Sequence, residues 1–210
     1  MSTVLTFDSK AVFDFYDLAK IKEHRYHSYD LCFNAFKIFL KKDECSNADY
    51  DYMALHLGMY LASWGMYRGS SKLLTDKSYQ VHIGAVKILL QKEYHSLHQI
   101  SPASFDSTNI NLLISLFNEL KKYYKSKGVS PTDTLITKIM LGTYACSVAL
   151  DSRVKGNLGK LKITQKFGEK HLEDIKNYYL INKKIIDATV SSVGNKDYGI
   201  IKCLDMAFFD

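Results

Sequence analysis

Only two prolines, Pro102 and Pro131, occur in the 210 residues, so little in the chain interrupts long regular backbone. Cysteine is scarce too. Cys32, Cys45, Cys146 and Cys203 stand apart with no C-x-x-C pair, a pattern that argues against a zinc site and against a disulfide framework. The four thiols are expected to be reduced packing residues. No apolar run reaches the roughly 20 residues of a membrane span. The most apolar stretch, residues 53–67, contains His56 and runs into Arg68. The opening MSTVLTFDSK lacks a basic region followed by an apolar core, so no secretory signal is read and a soluble, cytoplasmic protein is expected. Walker loop, dinucleotide fingerprint and G-x-S-x-G elbow are all missing, and no cofactor is expected.

What is present points to helices. With 47% hydrophobic and 24% charged residues the composition is that of an ordinary globular chain, long enough to bury a sizeable core. Patterns of period 3.6 dominate and predict an all-α protein of about eight or nine helices. A first helix follows Asp8 as N-cap, with Ala11, Phe15, Leu18 and Ala19 inward. A second covers about 29–41, with Leu31, Ala35, Ile38 and Phe39 inward. Further helices are predicted over 49–67, 81–100, 109–125 (ending at Gly128), from Pro131-Thr132-Asp133 onward, and over 164–181, 182–192 and 197–209. Residues 152–168, with Gly156, Gly159, Gly168, four lysines and Arg153, read as a basic flexible connection. A single all-helical domain is expected, with lobes near 1–105 and 106–210 meeting across a cleft. The net charge of +6 is localised: residues 121–184 carry 14 Lys/Arg against 5 Asp/Glu, a net +9, while the remainder is net −3.

Two stretches carry candidate chemistry. In LGMYLASWGMYRGSS, residues 57–71, Gly58, Ala62, Gly65 and Gly69 would form one stripe on a continuous helix, with Tyr60, Trp64 and Tyr67 on another side. Each interior glycine costs about 1 kcal/mol relative to Ala, so close approach of a helix or ligand is expected there. Trp64 and Tyr67 are candidates to stack on a base, and Arg68, Ser70 and Ser71 to bind phosphate or a base edge. The plainer alternative places the aromatics in the core. In TDTLITKIMLGTYACSVALDSRVKG, residues 132–156, Lys138 lies in an apolar helix and Asp151 follows small and apolar residues. Thirteen residues on one helix leave them about 220° apart, so they meet only if the helix ends between them. Otherwise Lys138 reaches solvent and Asp151 caps the next helix.

YLASWGMYRGSS, TKIMLGTYACSVALDSR and the terminal IIKCLDMAFFD together resemble a poorly characterised family of bacterial helical proteins, over most of the chain from about residue 50. More distantly, the order helix, Gly turn, Lys-bearing helix, Asp at the start of a further helix is similar to the helix-hairpin-helix DNA glycosylases. That resemblance implies two lobes around a cleft, Asp151 assisting departure of a flipped base, and Lys138 attacking the sugar if the enzyme is bifunctional. The hairpin departs from the family pattern: Gly128-Val129-Ser130-Pro131 has Ser where a second Gly belongs. The Lys-to-Asp interval is also shorter than in bifunctional members.

Duplex DNA is therefore the expected partner, with Lys121, Lys122, Lys125, Arg153 and Lys155 as phosphate contacts. Base excision in repair or phage defence is the expected function. A non-catalytic nucleic-acid or partner-binding module, or a small-nucleotide-binding protein, would use the same residues. His24/His27 and His95/His98 form H-x-x-H pairs without carboxylates or cysteines at ligand spacing, and no metal site is expected.

Overall fold

A computed structural model of the chain describes residues 7–67 and 72–210. Among these residues ten α-helices and several short 3₁₀ turns form the molecule, without strands: α1 Ser9–Ala19, α2 Ser28–Phe39, α3 Asn47–Ser63, α4 Leu73–Asp76, α5 Ile83–Leu89, α6 Ser107–Ser126, α7 Asp133–Tyr144, α8 Ser152–Lys160, α9 Glu169–Val193 and α10 Ile200–Phe209. No described helix is long and apolar enough to cross a membrane. Helix starts follow their capping chemistry. Asp8 accepts from the Lys10 and Ala11 amides, Asp106 from Asn109, and Thr132 from Leu135. Ser46 and Asp49 form a reciprocal capping box ahead of α3.

Two helices lie at the centre. Every residue of α7 from Leu135 to Tyr144 is buried, as are eight of the ten in α10. Around them α2 and α3 pack against each other and on α7, while α1, α8 and α9 pack on α10; α6 touches α5, α7 and α9. Close approach of α3 to α7 depends on Gly142, because a Cβ there would overlap the Tyr60 ring laid across it.

The structure departs from several of the sequence expectations. The third helix stops at Ser63, so Gly58, Ala62 and Gly65 share no continuous helical stripe; Gly69 lies outside the described residues. Gly65 has φ +73°, and the Met66 amide reaches back to the Leu61 carbonyl at 2.9 Å, a left-handed glycine termination. Gly65 thus ends a helix, whereas Gly58 does sit in a tight contact with Tyr67, Tyr79 and His82. Residues 81–100 are not one helix but α5 flanked by 3₁₀ turns. The basic connection 152–168 is largely the helix α8, started by Asp151, and the two helices expected over 164–192 are the single α9. Leu18, Leu31 and Ile38 face out rather than in.

Candidate functional site

The meeting of Lys138 and Asp151 is built by the seven residues after α7. Ala145 takes a left-handed conformation (φ +49°), ending α7, and residues 145–150 run back buried along it. A buried stretch of irregular chain must find partners for its backbone groups among the side chains packed around it. The Leu150 amide donates to Thr137 Oγ1 (2.9 Å), Thr134 Oγ1 donates to the Leu150 carbonyl (2.6 Å), and the Ala149 amide donates to Asp205 Oδ1 (2.8 Å). The return brings Asp151 beside Lys138, whose Nζ donates to Asp151 Oδ2 at 2.9 Å. Asp151 Oδ1 accepts from the Val154 amide at 3.1 Å and so caps α8. Both sequence alternatives for Asp151 therefore hold together, while Lys138 does not reach solvent: 4% of its side chain is exposed against 17% for Asp151. The carboxylate is the outer member of the pair and the ammonium the inner one.

Trp64, at the C-cap of α3, covers Lys138, with Nζ 4.6 Å from the ring centroid. It belongs to an aromatic group drawn from distant parts of the chain. Tyr26 stacks on Phe15 (4.0 Å, 8°) and lies parallel to Trp64 (5.4 Å, 7°), while Phe209 meets all three edge-on. Two exposed cations border the group: Arg25 lies over Tyr26 and Trp64 (5.3 and 5.1 Å), and Arg153 over Phe209 (5.0 Å). The Trp64 Nε1–H is buried and lacks a hydrogen-bond partner among the described residues. Phe15 was legible only as an inward residue of the first helix, and Arg25 and Tyr26 carry no local signal, because all three meet Trp64 only in the fold. Phe209 lay within the terminal segment of the resemblance, without an assigned role.

Behind this group sits a second buried pair. Lys202 is 1% exposed, with Nζ 3.7 Å from Asp205 Oδ2 and over the rings of Phe15 and Tyr29 (4.4 and 4.5 Å). Burial holds the Lys202 amine below its usual pKa and pushes the Asp205 carboxyl above its own; each group's charge opposes the other's shift. Asp205 holds the Ala149 amide, so it helps set the path that delivers Asp151.

The other candidates separate. Tyr67 turns to His82, its hydroxyl 2.7 Å from Nε2, and His82 Nδ1 lies 2.6 Å from the Tyr124 hydroxyl. Arg68, Ser70 and Ser71 lie outside the described residues. Lys121 is paired with Asp133 at 2.9 Å, whereas Lys122, Lys125 and Arg153 are exposed and Lys155 partly so. Chemically, the arrangement offers a surface carboxylate at a helix N-terminus, an ammonium behind it, an aromatic group and flanking arginines. No protein-family model, curated protein or solved structure matches the chain.

Proposed function

We propose that the protein binds DNA and excises a flipped damaged or modified base by hydrolysing its N-glycosidic bond, within a glycosylase-like arrangement of two lobes around a cleft. The observation that carries this reading is the Lys138–Asp151 contact beneath Trp64, with the carboxylate outermost. When the bond from C1′ to the base breaks, the electron pair leaves with the base and positive charge builds on the sugar. A carboxylate held in place stabilises that charge without reorganising. Asp151 also orients the water whose oxygen bonds to C1′, and the proton released passes through the carboxylate to the departing base. Products are an abasic site and the free base.

Lys138 is assigned a positioning role. An amine that donates to a carboxylate presents no free lone pair to the sugar, which favours the monofunctional, water-based route over a Schiff base. Trp64 and Tyr26, with Arg25 over both rings, form the aromatic wall beside which an extruded base would lie, and Arg25, Arg153, Lys122 and Lys125 are the phosphate contacts. DNA repair or defence against modified phage DNA is the proposed setting.

The test is incubation with duplexes carrying a panel of damaged or hypermodified bases, followed by alkali to reveal abasic sites. Wild type is expected to give strand breaks after alkali, Asp151→Asn none, and Lys138→Gln reduced excision. No borohydride-trapped adduct is expected with wild type. A trapped adduct lost in Lys138→Gln would replace the water route with a Schiff base. A second reading, a binding module without catalysis, is favoured by the structural engagement of both Asp151 oxygens in a cap and an ion pair. DNA affinity without cleavage of any duplex in the panel would select it, and a closed preference for free nucleotides would select a small-ligand protein.

A further inference from the structure

Helix α3 is apolar on two opposite sides. Its inner side, Met53, Ala54, Leu57, Gly58 and Leu61, is buried against the molecule. Its outer side exposes Ala48, Tyr52, Leu55, Met59 and Ala62, the three large ones at between 43% and 61%. A second, exposed apolar stripe on a helix that already buries one marks a contact surface. The outer five recur at spacings of 4, 3, 4 and 3, the 3.5-residue repeat of a helix that pairs with another helix. No charged residue interrupts them. Ile38 of α2, also exposed, lies next in sequence to Phe39, whose ring meets that of Tyr52 at 5.9 Å.

We infer that this face joins two copies of the chain, α3 against α3 in antiparallel orientation about a two-fold axis at Leu55. The pattern of side-chain size is the evidence for a second copy as occupant. Read outward from Leu55, it is symmetric: large Tyr52 and Met59 on either side, small Ala48 and Ala62 beyond. Antiparallel pairing sets Leu55 on Leu55, each Tyr52 on the partner copy's sulfur-bearing residue at 59, and each Ala48 on a second small residue. Thioether on aromatic is a favourable contact, and an isologous interface requires such self-complementarity. Charge gives the same orientation. Asp49 and Asp51 flank the stripe near its N-terminal end; parallel pairing would set them against their own copies, while antiparallel pairing keeps them apart. With Ile38 included, the face offers on the order of 500 Å² per copy, so a pair buries about 1,000 Å², the lower bound of a specific interface.

Sedimentation of the full chain across the micromolar range tests this, reading the mass against the 24.0 kDa of one chain. Wild type is expected at twice that mass, and Leu55→Glu at the single mass with an unchanged far-UV spectrum, because residue 55 is exposed. Met59→Glu serves if Leu55→Glu fails to fold. Leu55→Cys reads the seam itself: under mild oxidation it should form a covalent dimer well above the wild-type background from Cys45. A monomeric wild type, a dimer that survives the Glu substitution, or Leu55→Cys that stays uncrosslinked in a dimer would each overturn the inference.

Discussion

At the scale of single residues the Lys138–Asp151 pair behaves asymmetrically, because one partner meets water and the other does not. Asp151→Asn keeps a good N-cap but leaves a buried ammonium unpaired. It is expected to cost about 2 kcal/mol, less than the roughly 3–5 of a fully enclosed pair because Asp151 reaches solvent. Asp151→Ala loses the cap as well, about 1 kcal/mol more. Lys138→Met removes the inner charge, fills its space and leaves a carboxylate that water can solvate, so its cost is expected to stay below about 1 kcal/mol. Denaturant unfolding of the three variants checks the order, and Lys138→Met costing more than Asp151→Asn would reverse the assignment of inner and outer partner. His82 carries a pH prediction. Buried between the Tyr67 and Tyr124 hydroxyls, it has its pKa lowered by burial from 6.5 to about 4. The unfolded chain therefore binds the proton first as pH falls, and stability present above about 6.5 is progressively lost toward 4, by about 3 kcal/mol for this group. His82→Gln should be less stable at pH 7 but show a flatter loss between pH 6.5 and 4.5. An equally steep profile would place the titration at His171, which is also buried, or at the half-buried His56 and His98, all of which burial pushes down.

At the scale of elements three glycines separate three causes. Gly65→Ala forces a side chain into the left-handed conformation that ends α3, at about 1–2 kcal/mol. Gly142→Ala drives a Cβ into the Tyr60 ring and disturbs the α3–α7 contact, an overpacking cost of about 1–3 kcal/mol. Gly156 lies inside α8 with open space around the position of a Cβ, so Gly156→Ala should stabilise by about 0.5–1 kcal/mol. Thermal melts of the three read all the signs at once. A destabilised Gly156→Ala would mean that α8 is not helical at this position in solution. Helix α8 has a further attachment, since the Asn157 side chain donates to the Phe208 carbonyl at 2.9 Å and ties the start of the basic segment to the end of α10.

At the scale of the whole molecule, charge decides how DNA would be met. Residues 121–184 concentrate a net +9, but Lys121 already faces Asp133 and counts less toward phosphate than Lys122 and Lys125. Duplex affinity is expected to fall steeply with salt, and replacing Lys122 and Lys125 by Gln should flatten the log–log slope by about 2, at roughly 0.9 per phosphate contact. Lys121→Gln alone should change it little. Salt titrations by fluorescence anisotropy measure this directly; weak binding that ignores salt would remove DNA as the partner.

Local pattern by itself determines much of this protein. The 3.6-residue periodicity, the shortage of proline, the Asp8 cap and the Pro131-Thr132-Asp133 start all act within a few residues of themselves, and helices α1 and α7 begin where those signals stand. The possibility of a Lys138–Asp151 meeting was legible too, since it needed only a helix end between them. Tertiary structure decided what local signals cannot carry. Leu31 and Ile38 obey a helical period, yet which side of that period turns inward depends on the neighbours α3 and α7. Gly65 reads equally well as a packing residue or a helix terminator until the backbone adopts φ > 0. The return of residues 145–150 is held by Thr137 and by Asp205, 56 positions from Ala149. The grouping of Phe15, Tyr26, Trp64 and Phe209 closes contacts between the two ends of the chain. Helix formation is paid in short-range hydrogen bonds and so is written in sequence, whereas the site is an outcome of apolar burial, which is non-directional and brings together whatever distant residues the packed helices present.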